Sequence, residues 1–164
     1  MSYIETIKNC DSIEKIIEEC EKYVPFKFKA KPWEHPDLKR GTGVLCDSVA
    51  LNCYMSAYGY MHVTKCRAAM MNFPFNEVNG TLEIVDWGCG QGIGSATVID
   101  ILKDHNLLRW LRKVTLIEPS TEAINRACNN IRILTKDLVE IDTKPLFRLF
   151  IKTSWKYLIP IITN

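Results

Sequence analysis

The sequence lacks an uninterrupted apolar run of the roughly 18 residues that a membrane-spanning helix requires. Its most apolar stretch, residues 145–162, is interrupted by Arg148, Lys152 and Lys156. The first twenty residues mix acidic and basic side chains with apolar ones, so they do not have the continuous apolar core of a secretory signal. These absences predict a protein with no membrane association and a cytoplasmic location.

The sequence also lacks an excess of one charge and a cysteine framework. The 21 basic and 19 acidic side chains leave a net charge of +2, which neither demands nor excludes a nucleic-acid partner. The cysteine count is odd, at seven; no two form a C-x-x-C pair, and no histidine lies at a metal-ligand spacing from any of them. We therefore expect reduced thiols, no disulfide scaffold and no metal site.

The first 80 residues are predicted to form a helical N-terminal region. Residues 12–23 place their apolar side chains on one helical face, and residues 47–72 indicate one long helix or two short ones. The intervening residues 24–43 contain enough proline and glycine to break any regular element. We interpret them as a connector with packed aromatic side chains, which are Phe26, Phe28 and Trp33.

From residue 81 the apolar pattern changes period. Residues 81–87 indicate a β-strand, 95–108 a helix, 114–117 a second strand and 121–131 a second helix. This order is a βαβα unit, which implies that the two strands are parallel and adjacent. Residues 131–138 permit two interpretations: a third strand followed by Asp137 near a ligand, or the tail of the preceding helix with Asp137 in solvent.

A glycine-rich turn follows the first strand. Residues 84–94 read IVDWGCGQGIG, with an acid at the end of the strand and glycines at alternate positions. Such glycines let the backbone turn sharply and let a ligand lie against bare N–H groups at a helix N-terminus. Two alternatives are a turn that merely packs a helix on a sheet, and a nicotinamide or flavin nucleotide site. The latter uses G-x-G-x-x-G, which fails here because Ser95 follows Gly94.

This run resembles motif I of the class I (Rossmann-like) S-adenosylmethionine-dependent methyltransferases, an acid followed by G-x-G-x-G. The resemblance implies S-adenosyl-L-methionine as cofactor, with the glycines beneath its methionine part and the acid holding the loop. The acid ending the second strand, in VTLIEPS, would then bind the ribose hydroxyls. The cofactor-binding residues so implied are Asp86, Gly88, Cys89, Gly90, Gln91, Gly92, Glu118 and Pro119.

The resemblance implies an α/β fold with a Rossmann-like parallel sheet over residues 81–164, preceded by the helical region 1–80. The family uses seven strands, whereas residues 119–164 have room for about one more strand–helix pair. We therefore expect a truncated sheet of few strands, and name neither the methyl acceptor nor catalytic residues. The alternatives to a methyltransferase are a non-catalytic binding or assembly module, for example ribosome-associated, and an inactive fragment. The apolar segment 145–164 is expected to mediate self-association or contact a partner.

Polar aromatic side chains lie at spacings of four before the first strand. Tyr54, Tyr58 and His62 share one helical face, which Lys65 and Cys66 continue. One interpretation is a cover over the cofactor site, with His62 as a proton acceptor. The other is a half-buried stripe whose polar tips reach solvent or backbone.

Overall fold

The N-terminal part of the chain is helical, as predicted. The structure is a computed structural model, which describes residues 2–41 and 43–145. Short 3₁₀ turns separate the helices over Pro32–Glu34, Pro36–Gly41 and Phe75–Glu77. The helices are α1 (Tyr3–Ile7), α2 (Ile13–Lys22), α3 (Phe26–Lys29) and α4 (Ser48–Met70).

Helix α4 settles the choice between one long helix and two short ones. It runs unbroken for 23 residues from an Asp47 cap, whose carboxylate accepts the N–H groups of Val49 and Ala50. Its one glycine, Gly59, is a packing position rather than a break. A Cβ there would stand 2.8 Å from Cδ1 of Ile17, so the glycine lets α2 approach α4 closely.

The connector between α2 and α4 differs from the prediction in the burial of its aromatic side chains. Phe28 is half-buried against the ring of His35, at 4.8 Å between centroids. Phe26 is 94% exposed and Trp33 is 53% exposed, so the prediction that all three are packed was wrong for these two. Residues i and i+2 of an α-helix stand about 200° apart around its axis, so α3 can bury Phe28 only by exposing Phe26.

The C-terminal part of the described chain is an α/β unit with a parallel sheet. Strand β2 lies between β1 and β3, and both pairings are parallel. The predicted parallel, adjacent arrangement of the first two strands is confirmed. The elements are β1 (Leu82–Trp87), α5 (Ile93–Asp104), β2 (Leu111–Glu118), α6 (Thr121–Thr135) and β3 (Glu140–Pro145).

Residues 131–138 continue the second helix of this unit. Helix α6 extends to Thr135, and Lys136 and Asp137 then adopt left-handed backbone angles that end it. The Asp137 side chain is exposed, so of the two interpretations the helix tail is confirmed. Strand β3 begins only at Glu140, where EIDTKP pairs with β2 through its backbone and through an ion pair from Lys113 to Glu140 at 2.9 Å.

One hydrophobic core joins the helical region to the sheet. Buried side chains of α1 and α2 belong to the same cluster as those of β1, β2, α5 and α6. Residues 1–80 and 81–164 therefore pack together where the structure describes them. The apolar segment predicted to contact a partner lies, from residue 146 onward, outside the described residues. Within the described ranges, no helix combines the length and apolarity needed to cross a bilayer.

Candidate functional site

Asp86, at the carboxyl end of β1, anchors the start of α5. Its Oδ2 atom accepts the backbone N–H of Ser95 at 3.2 Å and the Ser95 hydroxyl at 2.7 Å. Helix α5 begins after Gly92 without a side-chain cap of its own, so Asp86 supplies a side-chain acceptor to this N-terminus across the loop. Burial raises the pKa of Asp86, and the hydrogen bonds from Ser95 oppose that rise.

Left-handed backbone angles shape the glycine loop between β1 and α5. Gly88, Gly90 and Gly92 have φ values of +67°, +52° and +74°, which non-glycine residues adopt at a cost. A Cβ on Gly90 would meet nothing within 4 Å, so space remains beside its backbone. A Cβ on Gly92 would stand 3.0 Å from Cβ of Ala127, so Gly92 allows the loop to pack closely on α6.

The end of β2 holds this loop through backbone and side-chain acceptors. The Ile117 carbonyl accepts the N–H groups of Gly88 at 2.7 Å and Cys89 at 3.1 Å. Glu118 is buried, and its carboxylate accepts the N–H of Gly90 at 3.0 Å and that of Ser120 at 2.9 Å. Burial raises the pKa of Glu118, while these two hydrogen bonds act in the opposite direction.

Gln91 holds the glycine loop against α4 and α6. Its side chain is 1% exposed and donates from Nε2 to the Leu51 carbonyl of α4 at 2.9 Å. Its amide oxygen accepts a hydrogen bond from Arg126 at 3.3 Å, and its backbone carbonyl accepts one from the Asn130 amide at 2.9 Å. Gln91 thus joins the loop to both α4 and α6.

The polar groups of α6 that hold Gln91 were not anticipated from the sequence. Arg126 is buried, donates to Asn52 at 2.6 Å and lies 4.3 Å from the ring centroid of Tyr3. Asn130 is buried and accepts from the Tyr3 hydroxyl at 2.8 Å. Arg126 and Asn130 are four residues apart beside the apolar face of α6, and this spacing is the signal that could have found them.

A cavity of about 570 Å³ lies beside the glycine loop. Drug-sized ligands and cofactors occupy pockets of about 300–1,000 Å³. β1, the loop and the first turns of α5 form one side, and α4 forms another. Its loop and helix lining includes Asp86, Gly88, Cys89, Gly90, Gln91, Gly94 and Ser95, and α4 contributes Tyr54, His62, Lys65 and Cys66.

The structure brings most, though not all, of the predicted site residues to this cavity. Asp86 and the loop from Gly88 to Gln91 line it. Gly92 contacts α6, and Glu118 and Pro119 are not part of the lining that the described residues form. Glu118 reaches the site indirectly, through the N–H of Gly90.

The polar aromatic face of α4 also reaches the cavity. The Tyr54 hydroxyl is 3.1 Å from Nε2 of His62, and both side chains line the space. Burial lowers the pKa of His62, and the nearby Lys65 charge lowers it further, so the imidazole is neutral at pH 7. Tyr58, the third aromatic residue of this face, is not among the described residues that line the cavity and packs against a separate buried cluster.

Comparisons with protein-family models, with curated proteins and with solved structures find no match to this chain.

A second, shallower depression of about 420 Å³ lies at the C-terminal ends of α4 and α5, without a glycine loop. The candidate site therefore rests on the cavity and the residues around it.

Proposed function

We propose that the cavity beside the glycine loop binds S-adenosyl-L-methionine, and that this chain is the cofactor-binding part of a class I, Rossmann-like methyltransferase. The observation that carries the proposal is the loop itself. An acid and alternate glycines, three of them with left-handed backbone angles, border a cavity of cofactor size at the carboxyl end of a parallel strand. Open α/β sheets bind ligands at that edge.

The chemical character of the cavity fits an amino-acid ligand with a positively charged sulfur. The lining offers a carboxyl group on Asp86 and an ammonium group on Lys65, which complement an ammonium and a carboxylate. The lining also includes Tyr54, and aromatic rings attract cations. Because nothing stands within 4 Å of a Cβ position on Gly90, the loop leaves room for a ligand against its backbone.

The bound cofactor would supply an electrophilic methyl group to a nucleophile. The chain's own residues would hold and orient it: Gln91 and Glu118 keep the loop in place, and Asp86 fixes the start of α5. Neutral His62 is suited to accept a proton from an acceptor that must lose one. A contact between Glu118 and the ribose of the cofactor stays a prediction. It is chemically possible because each carboxylate oxygen of Glu118 accepts one hydrogen bond and has a further lone pair.

We further propose a cytoplasmic location. The seven cysteines are all free thiols in the structure, and a reducing compartment keeps such thiols unpaired.

Calorimetric titration with S-adenosylhomocysteine, the product of methyl transfer, tests the proposal. We expect the chain to bind S-adenosylhomocysteine more tightly than NAD. Gly94→Val is the sharpest variant, because Gly94 lines the cavity and has no left-handed backbone angle that a side chain would strain. A Cβ added there would stand 3.5 Å from Oδ2 of Asp86. The affinity of this variant should fall at least tenfold, and its melting temperature is measured alongside to confirm that it is folded.

The matched control is Gly80→Val, where an added Cβ meets nothing within 4 Å and lies away from the cavity. This variant should bind like the parent chain. Tighter binding of NAD, or equal affinity of the Gly94 and Gly80 variants, would refute the proposed site. Cofactor binding without methyl transfer to any acceptor would instead favour a non-catalytic module.

A further inference from the structure

The segment from Pro25 to Glu34 exposes aromatic rings among lysines. Phe26 and Trp33 are 94% and 53% exposed, although both are large apolar side chains. The lysines at positions 27, 29 and 31 are exposed between them. We call these five residues the aromatic–lysine surface. A phenylalanine with almost its whole ring in water contributes little to the folded core and leaves the ring accessible to a partner.

Positive charge is concentrated in the same part of the chain. Residues 25–34 contain three basic side chains and one acidic side chain, a net charge of +2, which equals the net charge of the whole chain. Lys31 forms an ion pair with Glu34 at 2.9 Å. Within the ranges that the structure describes, neither Lys27 nor Lys29 forms an ion pair, and the Lys27 ammonium lies 4.7 Å from the Phe28 ring centroid. The surface is therefore suited to an anionic partner.

We propose that the aromatic–lysine surface binds single-stranded nucleic acid, an inference that does not depend on the proposed function. Exposed rings give bases a stacking platform that tolerates any sequence, and lysines beside them neutralise the phosphates. A lipid surface is a poorer fit, because segments that lie in membranes separate apolar from charged side chains, and here they alternate.

The test is fluorescence anisotropy of the full chain with labelled twelve-nucleotide single-stranded RNA and DNA. Phe26→Ala should weaken binding about tenfold, since stacking on an aromatic ring is worth about 1–3 kcal/mol per base. The matched control is Tyr60→Ala, another exposed aromatic residue, which faces Glu14, Glu18 and Glu21 instead of lysines. It should bind like the parent chain.

A charge-matched pair of double variants tests the lysines. Lys27→Ala/Lys29→Ala should reduce the slope of log affinity against log salt by about 1.4, from about 0.7 per neutralised phosphate. Lys8→Ala/Lys15→Ala removes the same charge from lysines paired with Glu5 and Asp11, and should leave the slope unchanged.

Three outcomes would overturn the inference: no binding of either oligonucleotide, equal losses in a variant and its control, or Phe26-dependent binding to phosphatidylserine vesicles without binding to RNA or DNA. These measurements contain no cofactor, and the calorimetric titration contains no nucleic acid. The two sets of experiments therefore test nucleic-acid binding and cofactor binding independently.

Discussion

The carboxylate of Glu118, at the end of β2, accepts the backbone N–H of Gly90 at 3.0 Å, 28 residues away in the chain. The two positions that most resemble a cofactor fingerprint are thus in contact with each other. Glu118 contacts the loop but is not among the described residues that line the cavity. A change at Glu118 should therefore alter the loop as well as any ligand contact.

Glu118→Ala should lower stability. The substitution leaves the N–H groups of Gly90 and Ser120 without their acceptor, a loss of about 2 kcal/mol. For a chain of this size the melting temperature should fall by roughly 4–8 °C. Glu83→Ala, which removes an exposed acid from β1, serves as control and should change it little. An unchanged melting temperature for the Glu118 variant would show that the loop does not depend on this carboxylate.

Asp86→Asn should stabilise the protein at neutral pH and not at low pH. Because burial raises the folded-state pKa of Asp86, the stability that it contributes is full below the unfolded pKa of about 3.9 and is lost as pH rises through the folded value. Asparagine keeps an acceptor for Ser95 and never ionises. Melting curves at pH 4 and pH 7.5 should show the variant's advantage only at the higher pH. An advantage that grows toward low pH would contradict the assigned direction.

Gly92→Ala should destabilise the protein more than Gly80→Ala. Alanine at a left-handed angle costs about 1–2 kcal/mol, and its Cβ would also stand 3.0 Å from that of Ala127. Gly80 has open space and no positive φ, so alanine is tolerated there. Urea denaturation measures both variants. A double-mutant cycle with Ala127→Gly should show coupling, which isolates the steric part.

Arg126→Met should cost at least about 3 kcal/mol in urea denaturation. The buried guanidinium donates to Asn52, Gln91 and the Ser48 carbonyl, and hydrogen bonds to charged groups are worth about 1.5–3 kcal/mol each. Arg126→Lys should not rescue it, because lysine lacks the planar fork of donors. Arg132→Met, at an exposed position of the same helix, should cost under about 1 kcal/mol. Similar losses at both arginines would argue against the network.

The central strands were predictable because their burial leaves a clear apolar pattern. β2 is buried almost throughout, so residues 114–117 stand out in the sequence, and the glycines that follow β1 mark where that strand ends. β3 gave no such signal, since Glu140, Thr143, Lys144 and Pro145 are exposed and the strand is held by its ladder with β2. A strand defined by backbone pairing leaves little trace in side-chain polarity.

The candidate site was predictable in its loop and less so in its surroundings. Glycines with left-handed angles are readable because few other residues adopt those angles. The role of Gln91 was not readable, since its partners Leu51, Arg126 and Asn130 lie 35 to 40 residues away in the chain. The exposure of Phe26 was not predicted, because its aromatic side chain alone indicated packing and the sequence does not show which face of the short helix α3 is buried.

The anchoring of Gln91 has a consequence for how fast a ligand could associate. Three hydrogen bonds of Gln91 and a fourth from Gly90 to Glu118 hold the loop, so its shape is set before any ligand arrives. A molecule entering the cavity does not have to order this backbone, and the entropy of doing so is not subtracted from its affinity. Association should then follow a single exponential whose rate rises linearly with concentration, with no plateau from a slow loop rearrangement.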